Sequence, residues 1–256
     1  MTEIDNKTKY QDLTIGGDIY TAGKFYKFKT TKSDILLIMD QNSGSEEITS
    51  TIEAFNFANS YNGEISKDFI FKLQSILDSR FNNSYRNSTS GSVALNKIED
   101  YIDFVVNLST KNTGYSPFII ASIIAFIFEY SAPFERGYSM LGSLIALKYL
   151  KDHGYGSGVF YCGLIKSYFE NIQTITESIK NSDSYGDLTY YIVQFMQTLI
   201  IAIESSYERI YNIVERNVQP INVEPSEEEI SENSDKMNEL ASDNMDEIVD
   251  ALSHQG

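Results

Sequence analysis

Apolar residues recur at helical spacing along most of the chain. Between Ser66 and Phe81, Phe69, Leu73, Ile76 and Leu77 form one stripe behind a serine N-cap, so a helix is predicted there. Glu46–Ser60 is a second helix candidate. Asn96–Leu108 places Ile98, Ile102, Val105 and Val106 on one face. Ser116-Pro117 reads as an N-cap followed by proline at the first helical position. The run it opens, to Tyr130, is apolar nearly all round and is predicted to be the most buried element. Pro133 stops it, and Ala132–Ser139 is expected as a loop. Further helices are predicted over about Met140–Asp152, Val159–Lys180 and Asp187–Arg216. The last should bury Leu188, Ile192, Phe195, Leu199, Ala202 and Ile203.

Two stretches read differently. Residues 1–44 are mixed, with Gly16-Gly17 and a strand-like Ile35–Met39. Asn82–Ala94 is rich in Ser, Asn and Gly and suits a hairpin or exposed loop. No period of 20–50 residues repeats, which excludes a solenoid.

Charge divides the chain further. The 256 residues carry 36 acidic and 20 basic side chains, a formal net charge of -16. From Asn217 to Gly256 there are eleven acidic residues and one lysine, so -10 falls there and -6 on the other 216 residues. Pro220 and Pro225 open that stretch and it has no aromatic residue, so a disordered acidic tail is expected. Within it Met245, Ile248, Val249 and Leu252 keep the spacing of an amphipathic helix, a candidate surface for a partner or for the parent domain. Three segments follow: 1–44 mixed, 45–216 helical, 217–256 tail.

Such acidity disfavours nucleic acid and anionic membranes as partners. The longest mostly apolar run, Pro117–Phe128, is too short to span a bilayer. A single cysteine, Cys162, excludes an internal disulfide and fits a reducing compartment, so a cytoplasmic location is expected. Two histidines, His153 and His254, leave little scope for histidine chemistry or a metal site. His153 lies about 20 Å along its helix from the 132–139 loop at 1.5 Å per residue. It is read as a cation at a helix C-terminus, and His254 as a solvated tail residue.

The loop itself reads Ala132-Pro133-Phe134-Glu135-Arg136-Gly137-Tyr138-Ser139-Met140-Leu141-Gly142-Ser143. It resembles the signature of the Fic (Fido) family, His-Pro-Phe-x-Asp/Glu-Gly-Asn-Gly-Arg-x-Gly-Arg, which follows a buried helix. Three looser likenesses keep the family's order. Thr49 and Glu53 in Thr49-Ser-Thr-Ile-Glu53-Ala54 resemble the inhibitory-helix motif. Tyr85-Arg86 resembles the element before the target-binding flap. Gly186–Met196 resembles a segment of the last helix, with both tryptophan positions changed. The likeness spans roughly residues 45–215. It implies a mainly α, Fido-like helical domain with a short β-hairpin flap, followed by the acidic tail.

Family enzymes move AMP from ATP to a protein hydroxyl, and the departures here bear on that chemistry. The base position is Ala132, which cannot titrate. The Mg²⁺-holding position is Arg136, which cannot bind a cation. Tyr138 and Ser139 add bulk where backbone must approach phosphate. Met140 and Ser143 replace the phosphate-holding arginines, and Ser143 also removes the partner of an inhibitory Glu53. Pro133, Phe134 and Gly137 keep the register. Glu135 could be proposed as a substitute metal ligand but reads better as a solvated loop residue. Arg136 with Gly137 is a candidate anion site, against the plainer reading of a surface arginine paired with an acid.

The implied function is a catalytically inactive Fic-like protein that binds another protein, with no cofactor and no metal. Tyr85, Arg86 and the tail are its candidate contacts, and self-association is left open. The alternative is a divergent nucleotidyl- or phosphotransferase acting on a protein hydroxyl, for which ATP and Mg²⁺ would be needed. A third reading, compatible with the first, has the tail mimic nucleic acid.

Overall fold

The computed structural model describes residues 14–24, 26, 35, 45–78, 84–89 and 92–217, with side chains described as far as Arg209 and at Tyr211. The chain divides into two units, Met1–Val214 and Glu215–Gly256. The strand-like Leu36–Met39 and the stripe Met245, Ile248, Val249 and Leu252 lie outside the described residues, although Ile35 is described and is helical.

The described part of the first unit is built from helices: α1 (14–24), α2 (Glu46–Ser60), α3 (Lys67–Leu77), α4 (Ile98–Thr110), α5 (Pro117–Ser131), α6 (Tyr138–Leu150), α7 (Leu164–Glu170), α8 (Ile172–Tyr185) and α9 (Thr189–Asn217). Among the described residues none of these is long and apolar enough to cross a membrane. Helix α1 runs through Gly16-Gly17 in the segment read as mixed. Ser66 caps α3 as expected, its hydroxyl accepting from Phe69 N at 3.2 Å.

The centre is the packed pair α5 and α6. Gly142 lets them close: a Cβ there would lie 2.7 Å from Phe128 Cβ, inside van der Waals contact. Helix α6, not α5, is the most buried element, with every residue after Tyr138 buried. Its polar residues hid this in the sequence, but each is matched internally. Ser143 Oγ donates to Ser139 O at 3.0 Å, and Lys148 Nζ donates to Gly63 O at 3.0 Å and pairs with Asp152. Lys151 continues the pattern by donating to Asn59 O and Tyr61 O. These two lysines fasten the 59–63 turn to the end of the central helix.

Other boundaries also differ from expectation. The loop after α5 ends at Gly137 rather than Ser139, because Gly137 at φ 73° turns the chain directly into α6. The segment predicted as one helix over Val159–Lys180 is broken at Gly163 (φ 78°) and Asn171 into a 3₁₀ turn, Ser157–Tyr161, and helices α7 and α8. On α9 the buried face is Tyr191, Phe195, Leu199 and Ala202; Leu188 and Ile192 are half-buried and Ile203 is exposed.

Candidate functional site: the loop between the central helices

Helix α5 ends because Pro133 cannot continue it. Ala132 caps the helix in the left-handed region (φ 40°, ψ 63°) and is the one described non-glycine residue with positive φ. That conformation is unfavourable by about 1 kcal/mol for a residue with a Cβ, so something must hold it. Arg86 does. Its Nε donates to Ala132 O at 2.7 Å, and its own backbone N–H donates to Pro133 O at 2.9 Å. Nη2 donates to Val93 O at 2.6 Å and, more weakly, to Ser131 O at 3.4 Å, while Nη1 donates to Ser88 O. Arg86 is only 4 % exposed. A buried guanidinium is tolerated when its fixed fork of donors is matched, and here carbonyls match it.

This corrects two expectations. Arg86 is an interior staple rather than a contact surface. The described residues of the flap, 84–89 and 92–94, contain no strand, so the β-hairpin is not seen. The physical reason is the same residue: the Ser88 and Val93 carbonyls bond the guanidinium rather than a facing strand. Tyr85 is half-buried, with its ring against Phe71 and Phe134.

The loop is gripped again on its other side. Glu135 is exposed, yet its Oε1 accepts from Asn87 N and Ser88 N at 3.0 Å and its Oε2 from Ser88 Oγ at 2.7 Å. The Ser88 hydroxyl, then these backbone N–H groups, hold its carboxyl below the usual range. Phe134 is fully buried. Gln74, buried on α3, donates to Arg136 O at 3.1 Å. Arg136 itself points outward, exposed, and makes no ion pair among the described residues. It is not paired with Glu135, whose oxygens face the 87–88 segment.

The remaining expected positions scatter. Pro133, Ser139, Met140 and Ser143 are buried, and Tyr138 is half-buried. Thr49 is half-buried and Glu53 exposed on α2, while the Ser143 hydroxyl is bonded within its own helix. His153 stacks on Tyr149 and its Nδ1 lies 2.8 Å from Tyr149 O.

One group escaped the sequence reading. Glu129 looked like the charge that ends an apolar run. Its Oε1 is instead buried without a hydrogen bond among the described residues, and burial pushes the carboxyl up, offset in part by the Ser139 and Tyr168 hydroxyls. Its position one turn before Pro133, inside an otherwise apolar helix, was the signal available.

The α5–loop–α6 arrangement is that of the Fic fold. A Fic family protein from Desulfovibrio desulfuricans G20 matches 81 % of this chain and 67 % of its own at a TM-score of 0.66 and 13 % identity. A Fic domain containing signaling protein from Bacteroides thetaiotaomicron VPI-5482 matches 80 % of this chain and 91 % of its own, at 0.59 and 12 % identity. No family model and no curated protein matches the chain. At these identities the likeness is one of fold. The residues of the loop do not fit a Mg²⁺-bound nucleotide. Arg136 stands where the resemblance puts the metal ligand, both Glu135 oxygens are taken by Asn87 and Ser88, and no group of three His, Cys, Asp or Glu among the described residues could hold a metal.

Proposed function

We propose that this Fic-fold chain does not transfer AMP and works in the cytoplasm by binding another protein. The observation that carries the reading is the Arg86–Ala132 bond. Where the resemblance puts a general base, the chain has a buried alanine whose backbone is tied to a structural arginine. No motif side chain can take a proton from a hydroxyl near neutral pH: Ala132 has none, Arg136 is a fixed cation, and Glu135 is held low by its donors.

The test uses purified full-length protein, labelled ATP and a lysate. No labelled band should form on the chain or on other proteins, and Ala132→His alone should not create one, because the metal and phosphate ligands are still missing. A band that disappears in Arg136→Ala would overturn the proposal. It would favour the second reading, a divergent transferase. That reading draws on the exposed Arg136 beside the helix N-terminus opened by Gly137, where an anion is favoured.

For the partner, the acidic tail offers Met245, Ile248, Val249 and Leu252 as an apolar stripe. Replacing Ile248, Val249 and Leu252 together by Ser in the full chain should remove proteins captured by the wild type. Identical captured sets from both chains would refute a recruiting tail.

A further inference from the structure

Helix α9 is apolar on two faces. Tyr191, Phe195, Leu199 and Ala202 face the core. At 100° per residue, Val193, Ile200 and Tyr207 lie on the far side of the helix, seven residues apart, with Tyr190, Ile201 and Ile203 flanking them. This second face is exposed: Tyr190 is 45 %, Val193 48 %, Ile200 51 %, Ile203 48 % and Tyr207 55 % exposed. A surface helix of a single domain needs only the first face. A second apolar stripe at heptad spacing is the pattern of a helix that packs on another helix.

We propose that the outer face of α9 is a two-fold interface with α9 of a second copy, the helices antiparallel and crossing near Ile200. Area supports a second copy. With Ile201 (44 %) and Tyr211 (40 %) included, the exposed apolar side chains offer roughly 650 Å² per copy. Two copies can then bury up to roughly 1,300 Å², which reaches the range of stable interfaces. Charge sets the direction. Residues 189–203 carry no charged side chain, while Glu204 and Glu208 follow. A parallel, in-register pair would set Glu204 against Glu204, which is unfavourable. An antiparallel pair about Ile200 sets Glu204 opposite Met196, Glu208 opposite Ile192, and Val193 opposite Tyr207.

The net charge of -16 adds a distinguishing sign. Two copies repel at long range, so salt should tighten an apolar contact rather than loosen it.

Sedimentation equilibrium of the full chain tests this. The wild type should dimerise, more tightly at higher salt. Ile200→Glu should weaken the dimer by at least about 100-fold, since it sets like charges together at the axis, with unchanged circular dichroism. Cysteine placement reads the geometry: under mild oxidation Ile200→Cys should give a covalent dimer, Val193→Cys alone should not, and Val193→Cys with Tyr207→Cys should. A wild type that stays monomeric at all concentrations would overturn the proposal. So would a dimer indifferent to Ile200→Glu, or cross-linking by Val193→Cys alone. A monomer that regains dimerisation when Ile248, Val249 and Leu252 are changed would assign the face to the tail and also overturn it.

Discussion

The 132–137 loop and the outer face of α9 differ in what their side chains leave available. At the loop, polar groups other than the exposed Arg136 side chain are bonded internally. Arg86 serves carbonyls of Ala132, Ser88, Val93 and Ser131, Glu135 serves Asn87 and Ser88, and Gln74 serves Arg136 O. On α9 the reverse holds, and large apolar side chains stand in solvent over five turns. The comparison teaches that a loop can bind up its polar groups as scaffold while apolar surface stays exposed elsewhere on the same fold.

The sharpest way to break this contrast is at Arg86. Arg86→Ala leaves several buried carbonyls without donors and releases Ala132 from its left-handed conformation. We expect a loss of about 3–5 kcal/mol in urea unfolding. A loss below about 1 kcal/mol would mean the guanidinium is not structural.

A second effect comes from Asp18 on α1, buried at the packing of α1 against Lys166 and Arg209. Its Oδ1 accepts from Lys166 N at 2.8 Å, and burial raises its pKa from 3.8 to about 7, opposed by that bond and by the Arg209 and Lys166 charges, with Glu170 adding to the rise. A carboxyl with a raised folded pKa stabilises the fold below its unfolded pKa and loses that contribution as pH rises through the folded value. Stability should therefore fall by about 2–3 kcal/mol between pH 5 and pH 8 from this group. Asp18→Asn should remove that part of the slope, and an unchanged slope would refute it.

Gly142→Ala is next. The added Cβ meets Phe128 Cβ at 2.7 Å, so α5 and α6 must part. An overpacked core of this kind is destabilised by about 1–3 kcal/mol, read as a lower melting temperature. The smallest effect is expected at Arg136. Arg136→Ala should change stability by less than about 0.5 kcal/mol, as for most surface substitutions. A larger loss would show that the arginine is part of the scaffold, against its outward position.

Much of the fold was legible from the chain. Helix α2 lies where its pattern placed it, and the Ser66 and Ser116-Pro117 starts of α3 and α5 hold. The Pro-Phe-x-x-Gly register marked the loop. What failed to show was whatever depends on a distant partner. Lys148 made α6 look less buried than it is, because its acceptor at Gly63 is set by packing. Arg86 read as a surface residue because its acceptors lie up to 46 positions away. Glu129 read only as the charge ending an apolar run, although burial raises its carboxyl and the Ser139 and Tyr168 hydroxyls from other helices offset part of that rise.

Under the proposed function the loop takes no metal-bound nucleotide. Titration calorimetry of the full chain with ATP, with and without Mg²⁺, addresses it directly. Arg136 where the resemblance puts the metal ligand, together with the engaged Glu135, predicts no Mg²⁺-dependent heat of binding. Micromolar binding that requires Mg²⁺ and is lost in Glu135→Gln would contradict it.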